Sequence, residues 1–279
     1  MKTNSVHFKN LISTFSMMGI LLSAPAIFGQ TPNSANQDEP TKRELKFPKN
    51  NFKINLSSLA FKNYSLYYER SLSRKISFSA GYRTMPSNNL GQLPLIKMLN
   101  DKINGGMNTE DNPIDDINRM TASGNACTGE FRFYSGKKPG ARGFYISLYG
   151  RYATFDHDYD YRFTENNDNT ISIPIKSKVT GTGIGFSLGK QLLIAKRVTL
   201  DVSYIGGHYG KLSGTSQGPA NLNSLSNTDR QTLKDDLDNI LVINKKSFLT
   251  TTVNDQGIAA KINGPFAGVR MGISLGIAF

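Results

Sequence analysis

The chain has 279 residues, with 33 Lys and Arg against 21 Asp and Glu, a formal net charge of +12. Its single cysteine excludes a disulfide framework and any metal cluster built on several thiolates. A mean hydropathy of −0.36 excludes a multi-pass helical membrane protein, which needs several runs of roughly 20 apolar residues. It leaves open a β-barrel, whose strands are only half apolar.

Residues 1–29 have the order of a secretory signal. Lys2 and Lys9 form a basic start, and Leu11, Ile12, Phe15, Met17, Met18, Ile20, Leu21 and Leu22 form an apolar run. Ala24-Pro25-Ala26 then leads to an expected cleavage near Gly29 or Gln30. The competing reading is an uncleaved anchor helix. Cleavage leaves 31 basic against 21 acidic residues, a net +10. Residues 30–49 read as a flexible periplasmic lead-in, and 50–279 as an outer-membrane β-barrel.

From Phe52 the sequence repeats with a period of two, the signature of half-buried strands. Eight segments are predicted as strands. Ile54, Leu56 and Ala60 alternate with Lys53, Asn55 and Ser57; Tyr64, Leu66 and Tyr68 alternate with Ser65, Tyr67 and Glu69. Ile76, Phe78, Ala80 and Tyr82 alternate with serines, Gly81 and Arg83. Cys127, Phe131 and Phe133 alternate with Thr128, Glu130, Arg132 and Tyr134, and Phe144, Ile146, Leu148 and Tyr152 with Tyr145, Ser147, Tyr149 and Arg151. Ile184, Phe186 and Leu188 follow, then Val198, Leu200, Val202 and Tyr204 around Asp201. The last segment, Val269 to Phe279, is strictly alternating and has the length a tilted strand needs to cross a bilayer.

An even strand number suits bacterial barrels, as does the alternation of short and long links. Short turns are expected at 73–74, 136–141 and 194–196, long loops at 86–124 and 211–263, and an intermediate link after the fifth strand; of the links on the long-loop side only the first, Phe61 to Asn63, is expected to be tight. The expected fold is therefore all-β: an eight-stranded antiparallel transmembrane barrel with long extracellular loops containing short helices. Its rival is a secreted lipocalin-like barrel, apolar inside and polar outside. The aromatics Tyr64, Tyr68, Tyr82, Phe131, Phe133, Phe144, Tyr152 and Tyr204 would form interfacial girdles. Arg83, Arg132, Arg151 and Arg270 with Glu69, Glu130 and Asp201 would form a lumen salt-bridge network that plugs the barrel, since buried charges are tolerated when paired. Small residues on the third, sixth and eighth strands would leave room for Tyr67, Tyr145 and Tyr149.

Several segments match a known group: Leu56 to Ala60 followed by Lys62-Asn63-Tyr64-Ser65-Leu66 and Tyr68-Glu69-Arg70; Phe131-Arg132-Phe133-Tyr134; Gly143-Phe144-Tyr145-Ile146; Arg151-Tyr152; and Gly264-Pro265-Phe266-Ala267-Gly268-Val269-Arg270. On these residues the chain resembles the small outer-membrane barrels of the OmpA/OmpX/OmpW-like porin-family class. More narrowly, it resembles Bacteroidota-type barrels assigned to a domain of unknown function. The resemblance spans about 50–279 and implies fold and location while saying almost nothing of activity. It implies that Phe279 is the terminal aromatic read by the barrel-assembly machinery. The chain departs from the class in that no appended periplasmic domain with peptidoglycan-binding features is expected, so an OmpA-type cell-wall tether is not implied.

In the loops, Leu93, Ile96, Leu99 and Ile103 recur at helical spacing, as do Leu233, Leu237, Ile240 and Leu241. Thr228 with Gln231 three residues later suggests a capping box. These helices would pack as a lid or offer a docking surface for an extracellular protein or glycan. Chemistry is sparse, and no catalysis and no cofactor are expected. His208 with Ser203 or Asp201 is the candidate for an outer-leaflet lipid hydrolase. Asp156, Asp158 and Asp160 are weak candidates for calcium bridging to lipopolysaccharide. Gly181, Gly183 and Gly185 lack the following helix of a phosphate loop. The expected partners are the lipid bilayer, lipopolysaccharide and the assembly machinery, and not nucleic acid. The expected function is structural or surface-interacting, with a narrow channel as the alternative.

Overall fold

The computed structural model describes residues 47–93, 119–165, 169–240, 242–243 and 246–279. The expected signal segment and the helical pattern of Ile96, Leu99 and Ile103 lie outside these residues. Of the lead-in, residues 47–49 are described, and they pack on the barrel: Lys49 accepts from the Ser71 amide at 2.7 Å.

The strands are β1 (Asn50–Asn55), β2 (Tyr64–Ser71), β3 (Ile76–Asn89), β4 (Met120–Tyr134), β5 (Gly143–Thr164), β6 (Thr170–Ile194) and β7 (Val198–Pro219). A helix α1 (Asn227–Asp238) follows, then β8 (Val242–Ile243), β9 (Lys246–Ser247), β10 (Leu249–Asn254), β11 (Gly257–Pro265) and β12 (Gly268–Ala278). Seven strands from β1 to β7 pair in sequence order, all antiparallel, and β12 pairs with both β7 and β1. The result is a closed eight-stranded antiparallel barrel, which leaves no free edge within the ring. Each of the eight period-two segments contributes a strand to the ring, but the first ends at Asn55, and its Leu56 and Ala60 fall in the link to β2, Ala60 within a 3-10 turn.

The links separate into a short-turn end and a long-loop end. Residues 72–75, 135–142 and 195–197 turn tightly at one end; at the other, residues 56–63 hold a 3-10 turn (Ser57–Phe61) and 220–267 carry α1 and three further strands plus β11. Besides the first link, which spans 56–63 rather than 61–63, two others differ from expectation. β5 and β6 run on as a continuous hairpin paired from Gly143 to Thr164, so the link after the fifth strand is only 165–169. β7 likewise continues to Pro219, where β11 pairs with its upper half and β12 with its lower half. β11 and β12 thus form one strand broken at Phe266 and Ala267, and Phe266 keeps the ladder through its amide to Gly210 at 2.9 Å.

The outer surface of the ring is apolar. Ile184 is 78% exposed, Val269 68% and Ile277 61%, within a band that includes Phe52, Leu66, Phe131, Ile146 and Leu148. All eight aromatics expected in the girdles stand on this outer face. Lys190 lays its ammonium 4.7 Å from the centre of the Phe144 ring, near the short-turn end. A bulge in β7 puts both Tyr204 and Ile205 outward, because Leu188 pairs with Ile205 while Gly189 pairs with Ser203. Beyond the bulge the inward parity changes from Asp201 and Ser203 to Gly206 and His208, and the sequence pattern did not reveal that step.

Above the band the polarity inverts without a change in pleat. On β6, Ile184 and Phe186 face outward, but Ile173, Ile175 and Val179 face inward and are buried, while Lys176 and Lys178 face out. Ile173 and Ile175 join Phe163, Leu222, Leu225, Leu233, Leu237 and Ile258 in a second hydrophobic core beyond the long-loop end of the barrel. There α1 packs against the sheet through Leu233 and Leu237, as a helix with an apolar stripe does. Its cap differs from expectation: Ser226, not Thr228, is the N-cap. Ser226 Oγ accepts from the Asp229 amide at 3.1 Å and donates to the Asp229 carboxylate at 2.7 Å. Of the remaining stripe, Ile240 packs at the edge of this core, and Leu241 lies outside the described residues.

Candidate functional site: the charged lumen

Inward-facing residues follow from parity on each strand, and strand register sets their height. Lys53 of β1 stands beside Tyr67 and Gly276, and Glu69 of β2 stands beside Ser79. Glu130 of β4 lies opposite Tyr149, and Asp201 of β7 opposite Gln191. Side chains from every wall strand meet at this level. The Lys53 ammonium donates to Glu69 at 2.7 Å, to Asp201 at 2.7 Å and to Gln191 at 3.0 Å. Arg132 donates to Asp201 at 2.6 Å and through Nε to Glu130 at 2.9 Å. Arg270 of β12 reaches Glu130 at 2.7 Å. Tyr134 donates to Glu69 at 2.6 Å, Ser77 of β3 also donates to Glu69, and Tyr145 of β5 donates to Asp201 at 2.9 Å.

The centre of the network is buried: Lys53, Glu69, Glu130 and Arg132 are each at most 2% exposed. Each carboxylate accepts at least three hydrogen bonds or ion pairs, which is the condition for keeping such charges inside. The aromatic rings fill what remains. Tyr67 lies across Gly81 and Tyr145 across Gly189, positions where any Cβ would collide with the ring. Tyr145 also stacks under the Arg132 guanidinium at 4.4 Å. Toward the short turns the remaining space, between Phe47, Asn51 and Gln191, amounts to about 20 Å³, about enough for a single water. Toward the long loops the lumen opens into a cavity of about 730 Å³. Phe266, its ring centre 4.6 Å from that of the cavity-lining His208, covers Gly181 and Gly183 and packs on Ala126 and Ala153.

Of the seven charged residues expected in the network, the structure joins Glu69, Glu130, Arg132, Asp201 and Arg270. Arg83 and Arg151 stand apart, making no ion pair among the described residues, and their Nε atoms have no hydrogen-bond partner. The reason is height. Arg83 lies four residues beyond Ser79, the partner of Glu69, which is roughly 13 Å along the strand. Lys53, Gln191, Tyr134 and Ser77 complete the network, and sequence reading gave none of them a role. The available signal was shared inward parity with the acids, and register supplies the rest.

The other candidates are placed as follows. His208 faces inward with Nδ1 3.3 Å from the Tyr149 hydroxyl, while Ser203 Oγ has no partner and Asp201 is bound in the network, so no relay links the three. Asp156, Asp158 and Asp160 share the outer face of β5, the first two opposite Lys178 and Lys176, and Asp160 accepts from Ser172. Among the described residues no group of three acidic, His or Cys side chains converges as a metal site. Cys127 is exposed on the outer face, and Gly181, Gly183 and Gly185 lie in mid-strand on β6. Phe279 exposes its ring, while its backbone exchanges two hydrogen bonds with Asn50 at 2.8 and 2.9 Å, where the last strand meets the first.

Fold and interior together define a closed antiparallel barrel with an apolar exterior and a charged, cross-linked lumen. Comparison with family models, curated proteins and solved structures finds no match to this chain.

Proposed function

We propose that the chain is an integral barrel of a Gram-negative outer membrane, of the OmpA/OmpX/OmpW-like class, with a plugged lumen and no catalytic activity. It acts through the structure raised above its long-loop end, as a structural or surface-interaction protein. The observation that carries this reading is the inversion of inside and outside. A barrel that exposes Ile184, Val269 and Ile277 while burying Lys53 and Glu69 suits lipid outside and fixed charge inside. β12 supports it in length: 11 residues at about 3.4 Å each, tilted by about 40°, cover roughly 28 Å of height, close to an outer-membrane apolar band. The net basic charge and Lys190 at the rim suit anionic headgroups. The exposed terminal ring of Phe279 suits recognition by the assembly machinery.

The test has two parts. Cell fractionation should recover the chain in the outer membrane, with gel mobility that changes on boiling; recovery from the soluble fraction would sink the membrane reading. The refolded barrel should then be electrically silent in a planar bilayer. Steady openings that change when Arg151 or Arg270 is neutralised would make the protein a channel and overturn the plugged lumen.

A further inference from the structure

Five cations (Lys53, Arg83, Arg132, Arg151, Arg270) face three carboxylates (Glu69, Glu130, Asp201) in the lumen, an excess of two positive charges. The excess is concentrated in the 730 Å³ cavity, whose lining includes Arg83, Arg151, Arg270, Tyr67 and His208. Arg151 is close enough to Arg83 and to Arg270, and all three to His208, to interact electrostatically. Asp201 also borders the cavity, but its two oxygens are already taken by Tyr145, Lys53 and Arg132. The nitrogens left without partners are the Nε of Arg83, the Nε of Arg151, Nη1 of Arg270 and Nε2 of His208. Arginine Nε and Nη can only donate. Buried donors normally find acceptors, and none of these nitrogens meets one among the described residues, although Asn63 Oδ1 and Ser203 Oγ on the same lining are also without partners.

We propose that this cavity binds a small soluble organic anion, carrying carboxylate or phosphate groups, between Arg83, Arg151 and Arg270. Water in the cavity could solvate the guanidinium groups but could not neutralise their charge; an oxyanion does both, and guanidinium groups match its geometry. The volume lies within the range of small-molecule sites. The Tyr67 ring, laid flat over Gly81, offers an apolar face beside the charges. The cavity reaches Ser58, Phe61 and Asn63 of the link between β1 and β2, so entry is from the long-loop end and the salt-bridge network is its floor. The inference goes beyond the proposed location, because a closed barrel would carry this site in or out of a membrane.

The test uses the refolded chain in zwitterionic detergent, titrated by calorimetry with citrate and, separately, with inorganic phosphate. Citrate should bind saturably at one site per chain, with phosphate weaker at the same site. Arg151→Gln and Arg83→Gln should each weaken citrate at least tenfold and together abolish it. Lys190→Gln, which removes an outward cation, should leave it unchanged. The ¹⁵Nε signals of Arg83 and Arg151 in the wild type should shift with citrate, a readout that needs no variant to fold. The absence of saturable binding by either anion overturns the proposal, as does equal binding by the double variant. Retention of lipid A phosphates from mixed micelles, with no binding of citrate or phosphate, would identify the anion as a lipid headgroup and overturn it as well.

Discussion

The Lys53 ammonium has three hydrogens and three acceptors around it, Glu69, Gln191 and Asp201, with its side chain 1% exposed. A buried pair adds little stability compared with a well-packed apolar substitute, but removing one partner leaves the others charged and desolvated. Lys53→Met should therefore cost about 3–5 kcal/mol, read from urea unfolding midpoints in lipid vesicles. Arg83 provides the contrast, because it has no carboxylate partner to strand. Arg83→Gln should cost less than about 1 kcal/mol or stabilise, since it relieves an unpaired charge. Comparable losses for both variants would mean that the network is not the fastener it resembles. At this scale the sequence disclosed which side chains face inward wherever the alternation runs unbroken, though not beyond the bulge in β7. It could not disclose who pairs with whom, because pairing depends on height, and height is fixed by register across eight strands. Lys53 and Arg83 illustrate the gap: both are inward cations in the sequence pattern, yet one lies at the level of the acids and the other above them.

The strands were legible wherever large apolar residues mark the outer face, as from Phe144 to Tyr152 and from Val269 to Phe279. Their upper halves were missed because the apolar residues change face. From Ile184 toward the tip of β6 the outward positions become Lys178, Lys176 and Pro174 while Ile175 and Ile173 take the inward ones. Pro174 is tolerated there because β7 pairs with β6 only up to Lys176, leaving an edge that needs no donor. A phase inversion of this kind within one strand marks the point where the apolar outer band ends and the strand begins to enclose its own core. In that outer core the C-terminal end of α1 is held by Asp238. Asp238 accepts from the Thr251 amide at 2.7 Å and from Lys234 at 2.8 Å. Partial burial pushes its carboxyl up, but the hydrogen bonds from Lys234 and Thr251 outweigh this and hold it below the ordinary value. A depressed carboxylate contributes stability above its unfolded value of about 3.9 and loses it as the pH falls through the lower folded value. The Thr251 amide proton resonance should therefore hold its position at neutral pH and move upfield below about pH 4. The step should be absent in Asp238→Asn. A flat titration in the wild type would show that Asp238 does not fasten α1 to β10.

At the scale of the whole molecule there are two cores of opposite construction. The barrel is polar within and apolar without; the raised part is apolar within, around Leu222, Leu233 and Ile173, and polar without. They share the long strands β5, β6 and β7, yet the charged network and the outer cluster have no residue in common. Each should therefore keep its own stability. Pro219 pairs directly with Gly257, so residues 220–256 can be replaced by Asn-Gly, a two-residue turn suited to a hairpin. The shortened chain should still fold into a barrel whose gel mobility changes on boiling, with a urea midpoint in lipid close to that of the parent, because every member of the network is retained. Phe163, Ile173, Ile175 and Ile258 should lose their cover, so the same protein should bind a hydrophobic dye that the parent excludes. Failure of the shortened chain to form a boiling-sensitive barrel would mean that the outer core templates the ring. Persistence of the barrel with no gain in dye binding would mean that the outer cluster closes without α1, and that its apolar stripe faces something other than this core.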